Sequence, residues 1–523
     1  MRGSLDGADI ERFRSLAARQ FGLHFDDSKH DFLTDVLRQR MEATGCDRFS
    51  LYHERITSPA HGPEEMKAVA EQLTVCETYF FRYWDHFRAF TETVIPDRIR
   101  ARDYCRQLRI LSAGCASGEE AYSLAILIRD GLPELASWNI TIHGIDVNEK
   151  MLARALRGRY TTWSLRDTPA DLRTKYFRAD GRDFVLDGRV KSAVTFEERN
   201  LIEEDHLLWQ RDAFDIVFCR NVTMYFTPEA SRSVINRIAE SLTPGGFLFL
   251  GHAETLRGIS QEFHLRHTHD TFYYQRREGG ELGDTVVLPG VSIREESAES
   301  PISSIVETSN SWFSTIRRSS ERIVNLTEQK GTRPGMSGAG NIATLAPSSR
   351  LSRATSVWDR TAAIELMREE RFSEATELLR GLPPESKADH DAQLLLAALL
   401  TNSGDLPEAE KLCQCLLDLD ELNSGAHYLM ALCREHAGDR DATLEHDRAA
   451  VYLDSAFAMP HLHIGLVAKR SADLETAKRE FGSALTLLAR EDASRILLFG
   501  GGFTREALIE FCRAELRACG GTS

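Results

Sequence analysis

The stretch ILSAGCASGEEAYSLAI, residues 110–126, runs from an apolar strand pattern through a turn of small residues into a helical pattern. Ser112-Ala113-Gly114-Cys115-Ala116-Ser117-Gly118 would let a ligand lie against backbone at the end of a strand. A phosphate site at such a turn uses GxGxxG or a Walker lysine, and neither is present. Instead Glu119 and Glu120 stand in the first turn of the following helix. Two carboxylates there would repel a pyrophosphate and suit a ligand with a cationic amino acid end. They would equally serve to complement the helix dipole, and the turn alone leaves both readings open.

Outward from this turn, strands and helices alternate over 109–277. RILSA is followed by a helix through EEAYSLAILIRDGL, then NITIHGID, a helix through NEKMLARAL, VTFEERN, FDIVFCR, a helix through PEASRSVINRIAESL, FLFLGH and a closing pair near HLRHTHDTFYYQRR. The pattern predicts an α/β fold, a parallel sheet covered by helices on both faces. Ligands of such sheets bind at the carboxyl ends of the strands, which places the chemistry after Ala113, around Asp146, after Arg199 and after Cys219. Asp146 is placed to accept ribose hydroxyls. Asn200-Leu201 and Arg220-Asn221 add groups at the same edge, though each alone is also an ordinary turn residue. RADGRDFVLDGRVKSAVT, with its DG turns, predicts a small antiparallel hairpin outside the main sheet.

The flanks differ in kind. Residues 1–90 read as helical, in DIERFRSLAARQFGL, DFLTDVLRQRMEATG and EEMKAVAEQLTV, with Arg38, Arg40, Arg48 and Arg55 giving a basic side. From about Gly279 to Thr355, Ser, Thr, Gly and Pro crowd together and apolar periodicity fades, as in a flexible linker; the island Trp312–Ile316 is read as chance apolar content within it. Beyond it, turns at Glu370-Arg371-Phe372, Gly404-Asp405-Leu406, Gly438-Asp439-Arg440 and Ala472-Asp473-Leu474 recur every 34 residues. Seven residues before each stands Ala363, Ala397, Ala431 or Gly465; further on come Ala375, Ala409, Thr443 and Ala477. That period and those small positions resemble a tetratricopeptide array, with a helix near 503–517 to cap it.

These readings give a helical domain over 1–90, an α/β domain over 91–277 with a β insert at about 177–196, a linker over 278–356, repeats over 357–490 and a C-terminal helix and tail over 491–523. The 523 residues are 42% hydrophobic and 27% charged, an ordinary globular composition. Net charge is −15, with 38 Lys and Arg against 41 Asp and Glu in residues 1–277 and 26 against 38 in the remainder. Neither part attracts a polyanion in bulk, and no aromatic-basic groove appears, so nucleic acid is not expected as a partner. The ten cysteines lack zinc spacing and read as reduced thiols; no metal site is expected. No apolar run reaches the ~18 residues of a membrane span and the N-terminus lacks an apolar leader, so a cytoplasmic protein without membrane insertion is expected.

Six segments, ETYFFRYWDHF, ILSAGCASGEEAYSLAI, IHGIDVNEKMLARALRGRY, ERNL, FDIVFCRNVTMYF and LTPGGFLFLGHAETL, resemble the chemoreceptor glutamate methyltransferases, the CheR family, in order and spacing over residues 8–277. The resemblance implies a Rossmann-like domain using S-adenosyl-L-methionine, with S-adenosyl-L-homocysteine as product. It implies that Thr78 and Arg82 close over the cofactor and that Glu120 faces its methionine end. Asp146 would take the ribose, while Asn200, Leu201, Arg220 and Asn221 frame the adenosine. Arg82 and Tyr225 would lie together where the methyl group is handed over. Cys76 stands where the family pattern has asparagine, a departure that weakens that cofactor contact. The implied substrate is the cytoplasmic helices of chemoreceptors, and the repeats would bind a protein partner that the sequence does not name. In the family the β insert touches the receptor, and its short first turn here argues against capture of a receptor tail peptide. A cofactor-sensing scaffold, with the repeats as output, is the rival reading; a nucleic-acid or small-molecule methyltransferase lacks its own motif here.

Overall fold

The computed structural model of the chain describes residues 5–278, 360–369, 371–383 and 389–520. It divides into two compact units, 1–287 and 288–523. The linker expected over 278–356, with its Trp312–Ile316 island, falls almost wholly outside the described residues.

The first unit opens with four helices, Gly7–Phe21, His30–Thr44, Phe49–Thr57 and Gly62–Leu73. The first begins at a reciprocal cap, Asp6 accepting from the Asp9 backbone at 2.8 Å while Asp9 accepts from that of Asp6. It ends at Gly22 in the left-handed conformation. Phe13, Leu16, Leu33, Leu37, Tyr52 and Val69 fill their shared core. Arg40, expected on a basic outer face, turns inward instead. It makes two hydrogen bonds to buried Glu65, at 2.8 and 2.7 Å, and Tyr52 donates to the same carboxylate at 2.8 Å. Helical spacing alone does not show which arginine faces a buried carboxylate from another helix.

The seven-stranded sheet is built from β1 (Gln107–Ala113), β2 (Asn139–Asp146), β6 (Val194–Glu198), β7 (Phe214–Cys219), β8 (Leu242–Leu250), β9 (Phe263–Thr268) and β10 (Thr271–Arg276), in the order β6-β2-β1-β7-β8-β10-β9. The first five of these are parallel; β10 runs antiparallel to β8 and β9. Strand order reverses between β1 and β7, and the crevice at their carboxyl ends is where a doubly wound sheet takes its ligand. Residues 76–90, read from sequence as the end of the helical domain, belong to this half: Phe80, Phe81, Phe87 and Phe90 are buried in the core around the sheet.

Outside the main sheet, β3 (Arg159–Thr161), β4 (Phe177–Asp180) and β5 (Asp183–Leu186) form a three-stranded antiparallel sheet. The expected hairpin is present, but the insert starts at 159 and stops before Val194, which already belongs to β6. Three residues of β3 are too few to show a period. Asp187-Gly188 is no hairpin turn; it caps the short helix Gly188–Lys191.

In the second unit helices pair across each predicted turn, from Arg360–Arg368 with Phe372–Arg380 through Ala458–Arg470 with Leu474–Leu488. Ala363, Ala397 and Ala431 are fully buried, and a Cβ added at Gly465 would lie 2.8 Å from the Phe481 ring, which is why these positions are small. Two more helices follow residue 490: Ala493–Phe499, which the sequence reading did not foresee, and Arg505–Ala518. All ten cysteines are free, and no helix among the described residues is long and apolar enough to cross a membrane.

Replacing Glu65 with alanine leaves Arg40 charged and without its partner in the helical domain. The expected loss is about 3–5 kcal/mol, read as a lower urea midpoint for the first unit; a change within ~0.5 kcal/mol would contradict the buried pairing.

Candidate functional site

At the carboxyl ends of the strands lies a cavity of about 500 Å³, in the range that small-molecule ligands occupy. Its walls come from the helical domain, through Phe25 and Leu73, and from the sheet half, through Cys76 and, at the strand ends, Asp146, Leu201, Asn221 and Tyr225. A second lobe of about 50 Å³ shares Val75, Gly114, Ala116 and Asn221 with it. Thr78, Arg82, Glu120 and Arg220 line this smaller lobe. The crevice therefore has an adenosine-sized part and a compact charged part.

Backbone geometry makes the crevice possible. Gly114 has φ +73°, and a Cβ there would stand 2.5 Å from Val222, so no side chain fits where the floor meets the β7 loop. Phe81 and Tyr83, on either side of Arg82, also have positive φ, at 57° and 62°. Such strain in non-glycine residues is retained where the surroundings enforce it. Phe80 donates to the Ser164 carbonyl at 2.9 Å and Phe81 to Ser123 Oγ at 3.0 Å, which pin this turn to the body of the domain.

The two glutamates of the first helical turn diverge. Glu120 accepts from Ser112 Oγ at 2.7 Å and from Arg220 Nη1 at 3.1 Å. Burial pushes its carboxyl up, opposed by Arg220 and Ser112, while burial holds the Arg220 guanidinium below its ordinary range. Arg220 also lies 5.4 and 5.5 Å from the ring centres of Tyr83 and Phe87 and donates to the Arg82 carbonyl. Glu119 turns away, accepts from Ser117 Oγ at 2.8 Å, and is pushed by burial to about 7.

Arg82 Nη1 donates to the Glu77 carbonyl at 3.1 Å. Arg82 Nε and Arg220 Nε are buried without a hydrogen-bond partner among the described residues. Arg220 with its spare donor and Glu120 fit a zwitterionic amino acid end, the guanidinium toward its carboxylate and Glu120 toward its ammonium, and the spare donor of Arg82 is left for a second anion. Asp146 accepts from Ala116 N at 2.9 Å and Asn148 N at 2.8 Å, one bond per oxygen. Each oxygen retains acceptor capacity for a ribose hydroxyl. Burial raises its carboxyl above the usual range. These residues fit S-adenosylmethionine.

Asn200 is a joint as well as a wall: its amide donates to the Gln20 carbonyl at 2.7 Å, tying the loop after β6 to the first helix. Cys76 accepts from Asn148 Nδ2 at 3.4 Å, and the same amide donates to Thr74 Oγ1 at 2.9 Å. Burial and nearby Asp146 raise the Cys76 thiol, so it stands as a neutral sulfur where the family pattern has an amide. Tyr225, expected beside Arg82, lines only the larger of the two lobes. Its carbonyl accepts from His24 N at 2.7 Å and its side chain packs on the core of the helical domain. An isolated antiparallel bridge between Leu23 and Phe226, its neighbour in the chain, draws it there, a long-range contact that motif order does not reveal.

Two features escaped the sequence reading. Glu254, buried in the GHAET turn after β8, accepts from the backbone N–H of Asn221, Val222, Met224 and Gly251 at 2.6–3.1 Å and from Thr223 Oγ1 at 2.8 Å. One carboxylate thus shapes the NVTM loop beneath the cavity. Arg166 is held between the rings of Tyr79 and Trp163, 3.4 and 3.9 Å from their centres, and pairs with Glu77 at 3.7 Å. It braces the segment that carries Arg82. The signal for the first was an acidic residue at a strand end; for the second, WSLR beside two aromatics.

Glu254→Ala strips an acceptor from four backbone donors, each costing about 1–3 kcal/mol when left buried and unpaired. Affinity for S-adenosylhomocysteine is expected to fall at least roughly tenfold, by calorimetry on protein shown folded by circular dichroism. Unchanged affinity would remove the loop-shaping role.

Residues 8–74 match the family model for the CheR methyltransferase all-alpha domain, and residues 76–272 that for the CheR methyltransferase SAM binding domain. Chemotaxis protein methyltransferase 2 of Vibrio cholerae is 35% identical over 274 residues, covering 52% of this chain and 94% of that protein. Probable biofilm formation methyltransferase WspC of Pseudomonas putida is 27% identical over 470 residues, covering 90% of this chain and 96% of that protein. Among solved structures, the crystal structure of PcrH from Pseudomonas aeruginosa is 22% identical, with a TM-score of 0.22, over 27% of this chain and 96% of that chain. With both domain models matched and almost the whole length of the Vibrio relative covered, the chain belongs to the CheR family of S-adenosylmethionine-dependent methyltransferases.

Proposed function

We propose that the chain methylates glutamate side chains in the cytoplasmic helices of chemoreceptors, forming methyl esters, and that its repeats bind a protein partner within the same signalling pathway. The observation that carries this reading is the small charged lobe, where Arg82, Glu120 and Arg220 converge beside an adenosine-sized cavity.

In this reading Asp146 takes the ribose hydroxyls, Asn200, Leu201 and Asn221 frame the adenosine, and Thr78 closes the small lobe with Arg82. Glu120 and Arg220 hold the amino acid end, Glu120 already oriented by Ser112. S-adenosylmethionine, when bound, supplies an electrophilic methyl carbon on a positively charged sulfur. A glutamate acceptor, with an ordinary pKa near 4.3, is ionised at neutral pH and needs no general base. The task left to the protein is alignment, an effect worth up to roughly 7–11 kcal/mol for well-oriented groups. Arg82 holds the acceptor carboxylate, with the positive-φ turn and the Arg166 brace limiting its freedom. Tyr225 acts from the larger lobe, on the approach of the acceptor rather than beside Arg82. Cys76 contributes an apolar surface in place of an amide contact.

The direct test is transfer of a tritiated methyl group to a receptor cytoplasmic fragment, with release as methanol in mild base marking an ester. Uptake of the cofactor without transfer would favour the scaffold reading. Arg82→Ala is expected to lower the transfer rate at saturating cofactor by 10²-fold or more, roughly the loss seen when one stabilising donor is removed, while cofactor affinity falls less. Near-normal turnover with only weakened cofactor binding would refute the role of Arg82.

A further inference from the structure

The helix Ala493–Phe499 crosses the repeats rather than extending them. Phe499 is buried, its ring centre 5.9 Å from that of Tyr428 and 5.0 Å from that of Phe457. Its Cζ would lie 2.8 Å from a Cβ placed on Gly425, so the glycine makes room for this ring. Leu497 and Leu498 pack on a cluster built mainly from the first-helix residues Ala363, Met367, Ala392, Leu395 and Leu399, with Ala375 and Leu379 from Phe372–Arg380. Most of these partners sit on the first helices of successive repeats, Arg360–Arg368, His390–Ser403 and Ser424–His436, and at the entry to Ala458–Arg470. First helices line the concave face of such arrays, the face that takes ligands.

We propose that Ala493–Phe499 is an intramolecular occupant of the concave face, and that this face accepts a short helical segment of another protein carrying leucine and phenylalanine in the same pattern, which binds by displacing it. The proposal deepens the reading of the repeats as a protein-binding array and rests on it.

Seven residues are too few to form a stable helix alone, so the segment holds its shape from the face it covers. It is tethered for release. On one side Glu491, just ahead of the segment, accepts from Ala458 N at 2.7 Å and anchors its root. On the other come Gly500-Gly501-Gly502, the last two with positive φ of 63° and 81°, a run of permissive backbone next to the buried ring. The following helix Arg505–Ala518 packs chiefly on Leu474–Leu488, and its Leu508, Phe511, Cys512 and Leu516 share one buried cluster with Ile496 and Phe499, so release of 493–499 bares part of that cluster for a partner to cover.

The test uses the full chain and a fluorescein-labelled peptide with the sequence of residues 490–503, followed by anisotropy. A face occupied in cis lowers apparent affinity by the fraction of time it is open. Phe499→Asp, which expels the segment, is expected to bind the peptide at least about tenfold tighter than wild type. In wild type, saturating peptide should speed hydrogen exchange of amides 496–499 while amides 508–518 stay protected; this arm decides the matter should the variant not fold. Equal affinity in both proteins with unchanged exchange would remove the occupant but leave a binding array. No binding to either would remove the partner chemistry. A concentration-dependent dimer that excludes the peptide would assign the face to a second copy. Each of these three results overturns the proposal, and none bears on methyl transfer, which is read separately.

Discussion

The site depends on one buried ion pair, Glu120 with Arg220, joining the first helix turn after β1 to the loop after β7. Removing two charges from water costs several kcal/mol each, and their attraction offsets this only when the remaining bonding positions are filled. Here Ser112 fills one on Glu120, while Tyr83, Phe87 and the Arg82 carbonyl enclose Arg220. What stays open is a buried N–H on each arginine of the small lobe. An assembly costly to fold and incompletely satisfied by itself is suited to a ligand carrying both charges.

The rest of the first unit holds that pair in register. The strand reversal opens the crevice, Glu254 shapes the loop on one side and the strained Phe81–Tyr83 turn supplies Arg82 on the other. The helical domain contributes a wall to the larger lobe through Phe25 and grips the loops through Asn200 and Tyr225. It is therefore part of the site.

Local order was legible where the chemistry is local. The turn from Ser112 to Glu120, the acidic end of β2 and the 34-residue phase each announce themselves within a few residues or by repetition. Long-range choices were not. Arg40 and Arg38 look alike in a helical pattern, yet Arg40 finds Glu65 across the domain. Tyr225 follows the same motif as Arg220, but a backbone bond from His24 draws it to the other lobe. Glu254 reads as an ordinary loop acid until four backbone donors converge on it, and ILLFGGG reads as a tail until its phenylalanine is seen against Gly425. Boundaries suffered for the same reason: FFRYWDHF is helical in pattern, and only its aromatic residues buried around the sheet assign it to the catalytic half.

The central claim is that these strand ends seat a sulfonium donor with its ribose on Asp146. Calorimetric titration of S-adenosylmethionine into the full chain tests it most directly. One molecule bound per chain, with affinity at least roughly tenfold lower in Asp146→Asn, the loss expected when charged hydrogen bonds are weakened, is the predicted result. No heat of binding, or binding that ignores the Asp146 substitution, would contradict the account.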